Sequence, residues 1–269
     1  MDIIISGIGG RMGHIVLEAA EEEAGTGTDT TVVAGFDKVA ISEGDKPYFQ
    51  GAEVPVYADY DDFPGQTLKG AGAGVIIDFS HYTAVPGLVL WAAAHNVPVV
   101  VCTTAIGEEA RDAMREAAAK IPVFNSSNMS LGINLLAKMS QLAIPSLEQN
   151  FNVEIIEKHH NKKVDSPSGT AILLADAIND RCRVKKDYVY GRHSKHDEVK
   201  LTDLGIHAVR GGTLPGEHTV LFAGPDEVIE LTHTVYSRKV FAQGALAAAH
   251  YISEAGRRPG AYDMNDIIG

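Results

Sequence analysis

The strongest constraint on this chain is an alternation in its first half. Short apolar or β-branched runs at residues 2–6, 31–36, 75–79, 97–101 and 122–124 read as buried strands. Between them, apolar residues recur at helical spacing. Met12, Ile15, Val16 and Ala19 mark one helix, and residues 83–94 and 108–120 mark two more. Strands trading places with helices in this way predict a parallel, doubly wound α/β sheet. The polar stretch 35–74, rich in Gly and Asp, reads as mostly loop with one short helix near Tyr60.

The pattern changes after about residue 126. Residues 133–144 read as a long helix, 153–157 as a strand, and 169–179 as a helix after a polar loop. Residues 205–210, 219–223 and 228–236 then read as strands separated only by Gly/Pro turns, which predicts antiparallel pairing. A closing helix spans 241–255 and fits either half. There is no internal repeat or low-complexity tract.

The first strand runs into Gly7-Ile8-Gly9-Gly10-Arg11-Met12-Gly13, and a helix follows. In that context glycines allow a tight turn and close approach to a pyrophosphate, while the helix start offers free N–H groups. The spacing departs from G-x-G-x-x-G, and a ligand-free strand-to-helix turn is the alternative. Asp37 closes the second strand, 24 residues after Gly13, where a carboxylate accepts hydrogen bonds from a ribose. Lys38 beside it suits a 2′-phosphate, so the pair predicts use of both NADH and NADPH, or weak discrimination between them; a solvated charge pair is the bland reading. Three more strand ends carry small polar residues: Ser80 and His81; Cys102, Thr103 and Thr104; and Ser126, Ser127, Asn128 and Met129. In such sheets ligands bind at the carboxyl ends of strands, so these segments are expected at the nicotinamide end.

The most informative stretch is Glu154-Ile155-Ile156-Glu157-Lys158-His159-His160-Asn161-Lys162-Lys163-Val164-Asp165-Ser166-Pro167-Ser168-Gly169-Thr170-Ala171. Three lysines and two histidines fall within six residues of a chain whose formal net charge is −12. A helix start follows, with Ser168 and Thr170 hydroxyls. Basic groups beside helix N-terminal amides suit a small acid, and histidine is an apt proton donor at neutral pH. A solvated lysine-rich surface and a metal-ligand fragment are the alternatives. No nearby Cys/His/Asp set has structural-zinc spacing, and no metal is expected.

This stretch resembles the signature of the 4-hydroxy-tetrahydrodipicolinate (dihydrodipicolinate) reductase family. The resemblance extends along the chain through residues 7–13, Cys102-Thr103-Thr104, Ser127-Asn128-Met129-Ser130, residues 210–219 and Ser237-Arg238. It implies a Rossmann-like domain at 1–126 completed by 238–269. It also implies an α+β domain with an open mixed sheet at 127–237, carrying substrate binding and oligomerisation. It implies His159 as general acid and Lys163 as a second donor or charge stabiliser. His160, Lys163, Gly169 and Thr170 would hold a dicarboxylate substrate. Gly7, Ile8, Gly9, Gly10, Arg11 and Met12 would cradle the pyrophosphate, and Asp37 the ribose. Cys102, Thr103, Thr104, Ser126, Ser127, Asn128 and Met129 would surround the nicotinamide. A homotetramer is the implied assembly. The chain departs from the family at His81, where some members have arginine, at Met129, where phenylalanine is common, and at Cys102, in place of a frequent glycine.

Composition excludes other classes. The balance of 35 Asp+Glu against 23 Lys+Arg argues against nucleic acid, and no apolar run reaches the roughly 18 residues that span a bilayer. Two cysteines are too few for a disulfide scaffold and fit a reducing, cytoplasmic setting. A non-catalytic dinucleotide sensor would keep the glycine loop but leave the basic loop unexplained. A different reductase would keep Asp37 without the His-His-Asn-Lys-Lys run.

Overall fold

The computed structural model describes residues 1–28, 30–38, 54–63, 74–193 and 198–269. Contacts divide the chain into two compact units, Met1–Ser130 with Arg238–Gly269, and Leu131–Ser237.

The first unit is built on a seven-stranded sheet. Its strands are β1 (Asp2–Ser6), β2 (Thr31–Phe36), β3 (Val56–Tyr57), β4 (Gly74–Asp78), β5 (Val99–Val101), β6 (Pro122–Asn125) and β12 (Gly260–Tyr262). They lie in the order β12-β6-β5-β4-β1-β2-β3, all parallel. Both faces are covered, which is why the central strands are apolar without alternation. Ile3, Ile5, Val75 and Ile77 face one layer, formed by α1 (Arg11–Gly25) and α6 (Lys239–Ser253). Ile4 and Ile76 face the other, formed by α2 (Val85–Ala94) and α3 (Glu108–Ala118). Helix α3 shows how: Ala110, Ala113, Met114 and Ala117 share a buried face, while Glu108, Arg111 and Arg115 pair outside. The short helix α7 (Met264–Ile268) closes the unit behind an Asp263 capping box.

The second unit carries a mixed sheet of β7 (Asn152–His159), β8 (Asp187–Tyr190), β9 (Asp203–Arg210), β10 (Gly216–Gly224) and β11 (Glu227–Val235). Helices α4 (Leu131–Leu147) and α5 (Gly169–Arg181) cover one face. Val153 and Ile155 of β7, Leu204 and Ile206 of β9, and Val220 and Phe222 of β10 meet Ile133, Leu136, Ala171 and Leu174 there. Alternate burial along β7 records this one-sided packing.

The sheet order β11-β10-β7-β9-β8 corrects one expectation. β10 and β11 form the antiparallel hairpin expected from the turn between them. β9 and β10, although consecutive, do not pair: β7 lies between them, parallel to β9 and antiparallel to β10. The short link after β9 passes the end of β7 instead. There Gly211 N–H donates to His159 O at 3.1 Å, and Asn161 N–H donates to Gly212 O at 3.2 Å.

Other differences are local. Tyr60–Asp62 is the short helix expected near Tyr60, a single 3₁₀ turn, while β3 pairs within the stretch read as loop; most of that stretch lies outside the described residues. β3, β8 and β12 have two to four residues each, too few to leave a period. α4 runs three residues past the expected stop at Ile144 and carries Pro145 inside it, losing one N–H donor there.

Helix α6 docks through a glycine. A Cβ at Gly244 would lie 1.7 Å from the Met129 carbonyl oxygen, a fixed backbone atom. Gly244→Ala is expected to destabilise the protein by about 1–3 kcal/mol through forced separation of helix and loop, read as a lower urea midpoint.

Candidate active site

Each unit carries part of the chemistry. In the first, chain order reverses around β1, which has β4 on one side and β2 on the other. Such a switch point opens a crevice at the strand ends. Gly7 turns there at φ +78°, and a Cβ on it would meet the Phe79 carbonyl oxygen at 2.6 Å. A Cβ at Gly13 would meet the Gly7 oxygen at 2.3 Å. These glycines hold the loop down on the sheet and leave the start of α1 uncapped by any side chain at Gly10. Asp37 is joined to the loop: Gly9 N–H donates to its Oδ2 at 2.8 Å. Gly7, Gly10, Asp37, Lys38, Tyr60 and His81 line a cavity of about 380 Å³.

Not every residue expected at the cofactor offers its side chain. Ile8, Cys102 and Met129 are buried in the core, so only their backbone is available. Burial also pushes the Cys102 thiol well above its ordinary pKa, leaving it unreactive. Arg11, Lys38, Thr104 and Ser127 are exposed, and Met12 is half-buried. Thr103 is buried and donates to Asp78 Oδ2 at 2.7 Å. Ser126 Oγ donates to Asn128 O at 2.8 Å, and Asn128 Oδ1 accepts from Ser130 N–H at 2.9 Å, which shapes the loop after β6.

Sequence reasoning passed over Asp78. Its carboxyl is fully buried at the end of β4 and also accepts Ser80 N–H at 3.2 Å. Burial pushes its pKa up, against hydrogen bonds from Ser80, Thr103 and Ser6. Asp78 ties the ends of β1, β4 and β5 together.

In the second unit the inward rows of three adjacent strands end in polar residues. Glu157 follows Val153 and Ile155 on β7, Arg210 follows Leu204 and Ile206 on β9, and His218 precedes Val220 and Phe222 on β10. The Glu157 carboxylate is wholly buried. Arg210 grips it bidentately at 2.6 and 2.7 Å, and Ser168 N–H donates to it at 3.0 Å. His159 Nδ1 lies 2.6 Å from its Oε2. Burial pushes Glu157 up, but the bonds from Arg210, His159 and Ser168 outweigh it and hold the carboxyl below its ordinary range. For His159, burial pushes the pKa down and exceeds the opposing pull of Glu157; Lys163 and Arg210 add to the lowering.

The basic loop lies at the start of α5. Ser168 caps that helix by accepting Ala171 N–H at 3.1 Å, and its hydroxyl is 2.8 Å from His218 Nε2. Lys163 Nζ lies 2.9 Å from the Asp165 carboxylate, which also accepts the Gly169 N–H. Lys163 and the Gly169 amide, two groups expected to bind a carboxylate, thus already hold one from the chain itself. His160 has a buried Nδ1 with no hydrogen-bond partner among the described residues. Gly169 is exposed and Thr170 half-buried beside it. Lys158, expected in the basic cluster, is neutralised by Glu217 at 2.6 Å.

A glycine cradle beside an acidic strand end suits a dinucleotide, and a histidine beside Lys163 and the Gly169 amide suits a small acid. That combination defines a nicotinamide-dependent oxidoreductase. Comparison with known proteins narrows the class. The family model "Dihydrodipicolinate reductase, N-terminus" matches residues 1–129, and "Dihydrodipicolinate reductase, C-terminus" matches 132–268. The 4-hydroxy-tetrahydrodipicolinate reductase of Caldanaerobacter subterraneus subsp. tengcongensis is 45% identical over 266 residues, covering 99% of this chain and 97% of that one. Its namesake from Clostridium botulinum is 42% identical over 269 residues, covering 99% and 98%. The chain belongs to the dihydrodipicolinate reductase family. Among solved structures, the dipicolinate-bound dihydrodipicolinate reductase from Paenisporosarcina sp. TG-14 shares the fold, with a TM-score of 0.78 over 98% of each chain at 24% identity.

His218 yields a prediction about stability. It is 4% exposed, and burial, with His159 nearby, pushes its pKa down to about 4. A histidine buried neutral binds fewer protons folded than unfolded between that value and its ordinary one. Its contribution to stability therefore falls as pH drops through this window, by about 3 kcal/mol in all. The urea-unfolding difference between the parent and His218→Gln is expected to shrink by that amount between neutral pH and acid pH near the folded pKa.

Proposed function

We propose that this chain reduces 4-hydroxy-tetrahydrodipicolinate to tetrahydrodipicolinate, with His159 as proton donor and Lys163 as charge stabiliser. The observation that carries the substrate half is the Asp165 carboxylate seated on Lys163 and the Gly169 amide, which supports these donors as carboxylate ligands. A substrate carboxylate takes the place of Asp165 there, and the other is held by His160 and Thr170.

Glycines at 7 and 13, whose Cβ atoms would collide with backbone, fit a closely apposed pyrophosphate, and Asp37 fits a ribose hydroxyl. When bound, the reduced nicotinamide supplies a hydride to a conjugated ring carbon of the substrate. Electron density then moves to the neighbouring carbon. Lys163 steadies that charge, and His159 delivers the proton through Nε2. Carboxylate binding fixes the ring and supplies orientation. Dehydration of the hydroxylated substrate either precedes this step or shares the site.

Asp37 favours NADH through the 2′-hydroxyl, and the exposed Lys38 gives NADPH a partner for its 2′-phosphate, so both cofactors serve. The proposed assembly is a homotetramer through the second unit. Support comes from the edge strand β11, where Val228 is 56% and Ile229 38% exposed. A cytoplasmic setting fits the two free, buried cysteines. Among the described residues no helix is long and apolar enough to cross a membrane.

The test is consumption of reduced cofactor with freshly made 4-hydroxy-tetrahydrodipicolinate. His159→Gln is expected to lower kcat about 10²- to 10⁴-fold with unchanged cofactor affinity, the range for loss of a general acid. Lys163→Ala is expected to lose turnover and substrate affinity together. Unchanged steady-state kinetics in both variants removes the assignment. Parallel titrations with NADH and NADPH are expected to give comparable kcat/KM, and strict dependence on one removes the dual-cofactor reading.

A further inference from the structure

We infer that Glu157, clamped by Arg210, is the positioning residue that sets the tautomer and orientation of His159. The inference rests on the reading of His159 as proton donor. It concerns two residues that touch neither substrate nor cofactor in that reading.

Glu157 sits one side-chain repeat before His159 on β7, facing inward with Val153 and Ile155 where the strand pattern calls for an apolar residue. A carboxylate in that place needs a reason, because burying it without partners is costly. Here its oxygens are engaged by four donors from three segments: two from Arg210 on β9, Ser168 N–H before α5, and the His159 ring. Three of those donors already keep it ionised. An ionised carboxylate only accepts, so the His159 nitrogen 2.6 Å away must carry hydrogen. Neutral His159 is therefore the Nδ1–H tautomer, and Nε2 is the nitrogen that gains and loses a proton. The neighbour across it is Gly216, where even a Cβ would stand 3.4 Å from Nε2.

The step balances simply. The Nε2–H bond of imidazolium breaks, a C–H bond forms on the substrate carbon, and the electron pair stays on Nε2. What remains is neutral imidazole, still donating from Nδ1 to Glu157. Solvent restores the Nε2 proton.

Other charges face the ring. Lys163 from the loop and Arg210 from β9 disfavour imidazolium, while His218 from β10, uncharged at neutral pH, packs edge-to-face at 5.0 Å between ring centroids. Asp165 answers Lys163 at 2.9 Å. Glu157 is the acid hydrogen-bonded to the imidazole itself, and its charge opposes the lowering of the His159 pKa by favouring the imidazolium.

Nitrogen-15 NMR of histidine-labelled protein, with the His159 signals assigned by loss in His159→Asn, reads the tautomer directly in the unaltered enzyme. The expected result is Nδ1–H; a neutral ring protonated on Nε2 overturns the proposal. In Glu157→Gln the tautomers should mix, and kcat should fall about 10- to 100-fold with cofactor KM held, as for loss of an orienting partner. A proton donor must be protonated, so activity is lost as pH rises through its pKa. Removing the carboxylate charge lowers that pKa, and the alkaline limb of kcat should move about one pH unit toward acid. Folded Glu157→Gln with tautomer and limb unchanged marks a merely structural role and overturns the proposal. If this variant does not fold, Glu157→Gln with Arg210→Met leaves no unpaired buried charge and carries the same tautomer measurement. Full turnover in His159→Gln instead removes the proton-donor reading, while the tautomer result still decides what Glu157 does.

Discussion

The second unit depends on one buried carboxylate. Glu157 gathers β7, β9 and the residue before α5 around a single charge. Its cost of burial is offset by Arg210 and Ser168, and His159 adds to them. The basic loop is thereby pinned at both ends, at His159 on the strand and at Ser168 on the helix. Between those pins the loop holds Lys163 and His160 without needing an apolar core of its own. A loop that carries reactive groups is held by electrostatics at its roots.

The first unit solves a different problem with different means. A dinucleotide cradle needs backbone close to backbone, and this is achieved by leaving out side chains. Gly7 against Phe79, Gly13 against Gly7 and Gly244 against Met129 are contacts that one methyl group would break. The buried Asp78 then joins strand ends that bear the surrounding loops. One unit is organised by a charge and the other by close approach.

Much of this was legible in the amino-acid order, for identifiable reasons. Strands buried on both faces leave continuous apolar runs, so β1, β4, β5 and β6 were plain. The interposition of β7 between β9 and β10 was not, because strand order is decided by packing between distant segments. Lys163, Gly169 and Thr170 stood out through a dense basic motif. Glu157, Arg210, His218 and Asp78 did not, since a charged residue in a strand usually faces solvent. The signal was present in parity: Val153, Ile155 and Glu157 share one face at period two, as do His218, Val220 and Phe222. Lys158 misled in the opposite direction, because its charge is spent on Glu217 across the sheet.

Helix α6 lies at residues 239–253, yet Ala242, Ala245, Ala248, Ala249 and Ile252 cover strands laid down in the first 130 residues. During synthesis those strands leave the ribosome with one face only partly covered, by α1. The intervening unit, Leu131–Ser237, is continuous in sequence and has every element of its own core before α6 is made. The order of completion therefore inverts the order of translation: the segment begun first is finished last. The part of the apolar sheet face that α6 covers stays exposed for more than a hundred codons, making the nascent first unit the part of this chain most in need of protection from aggregation.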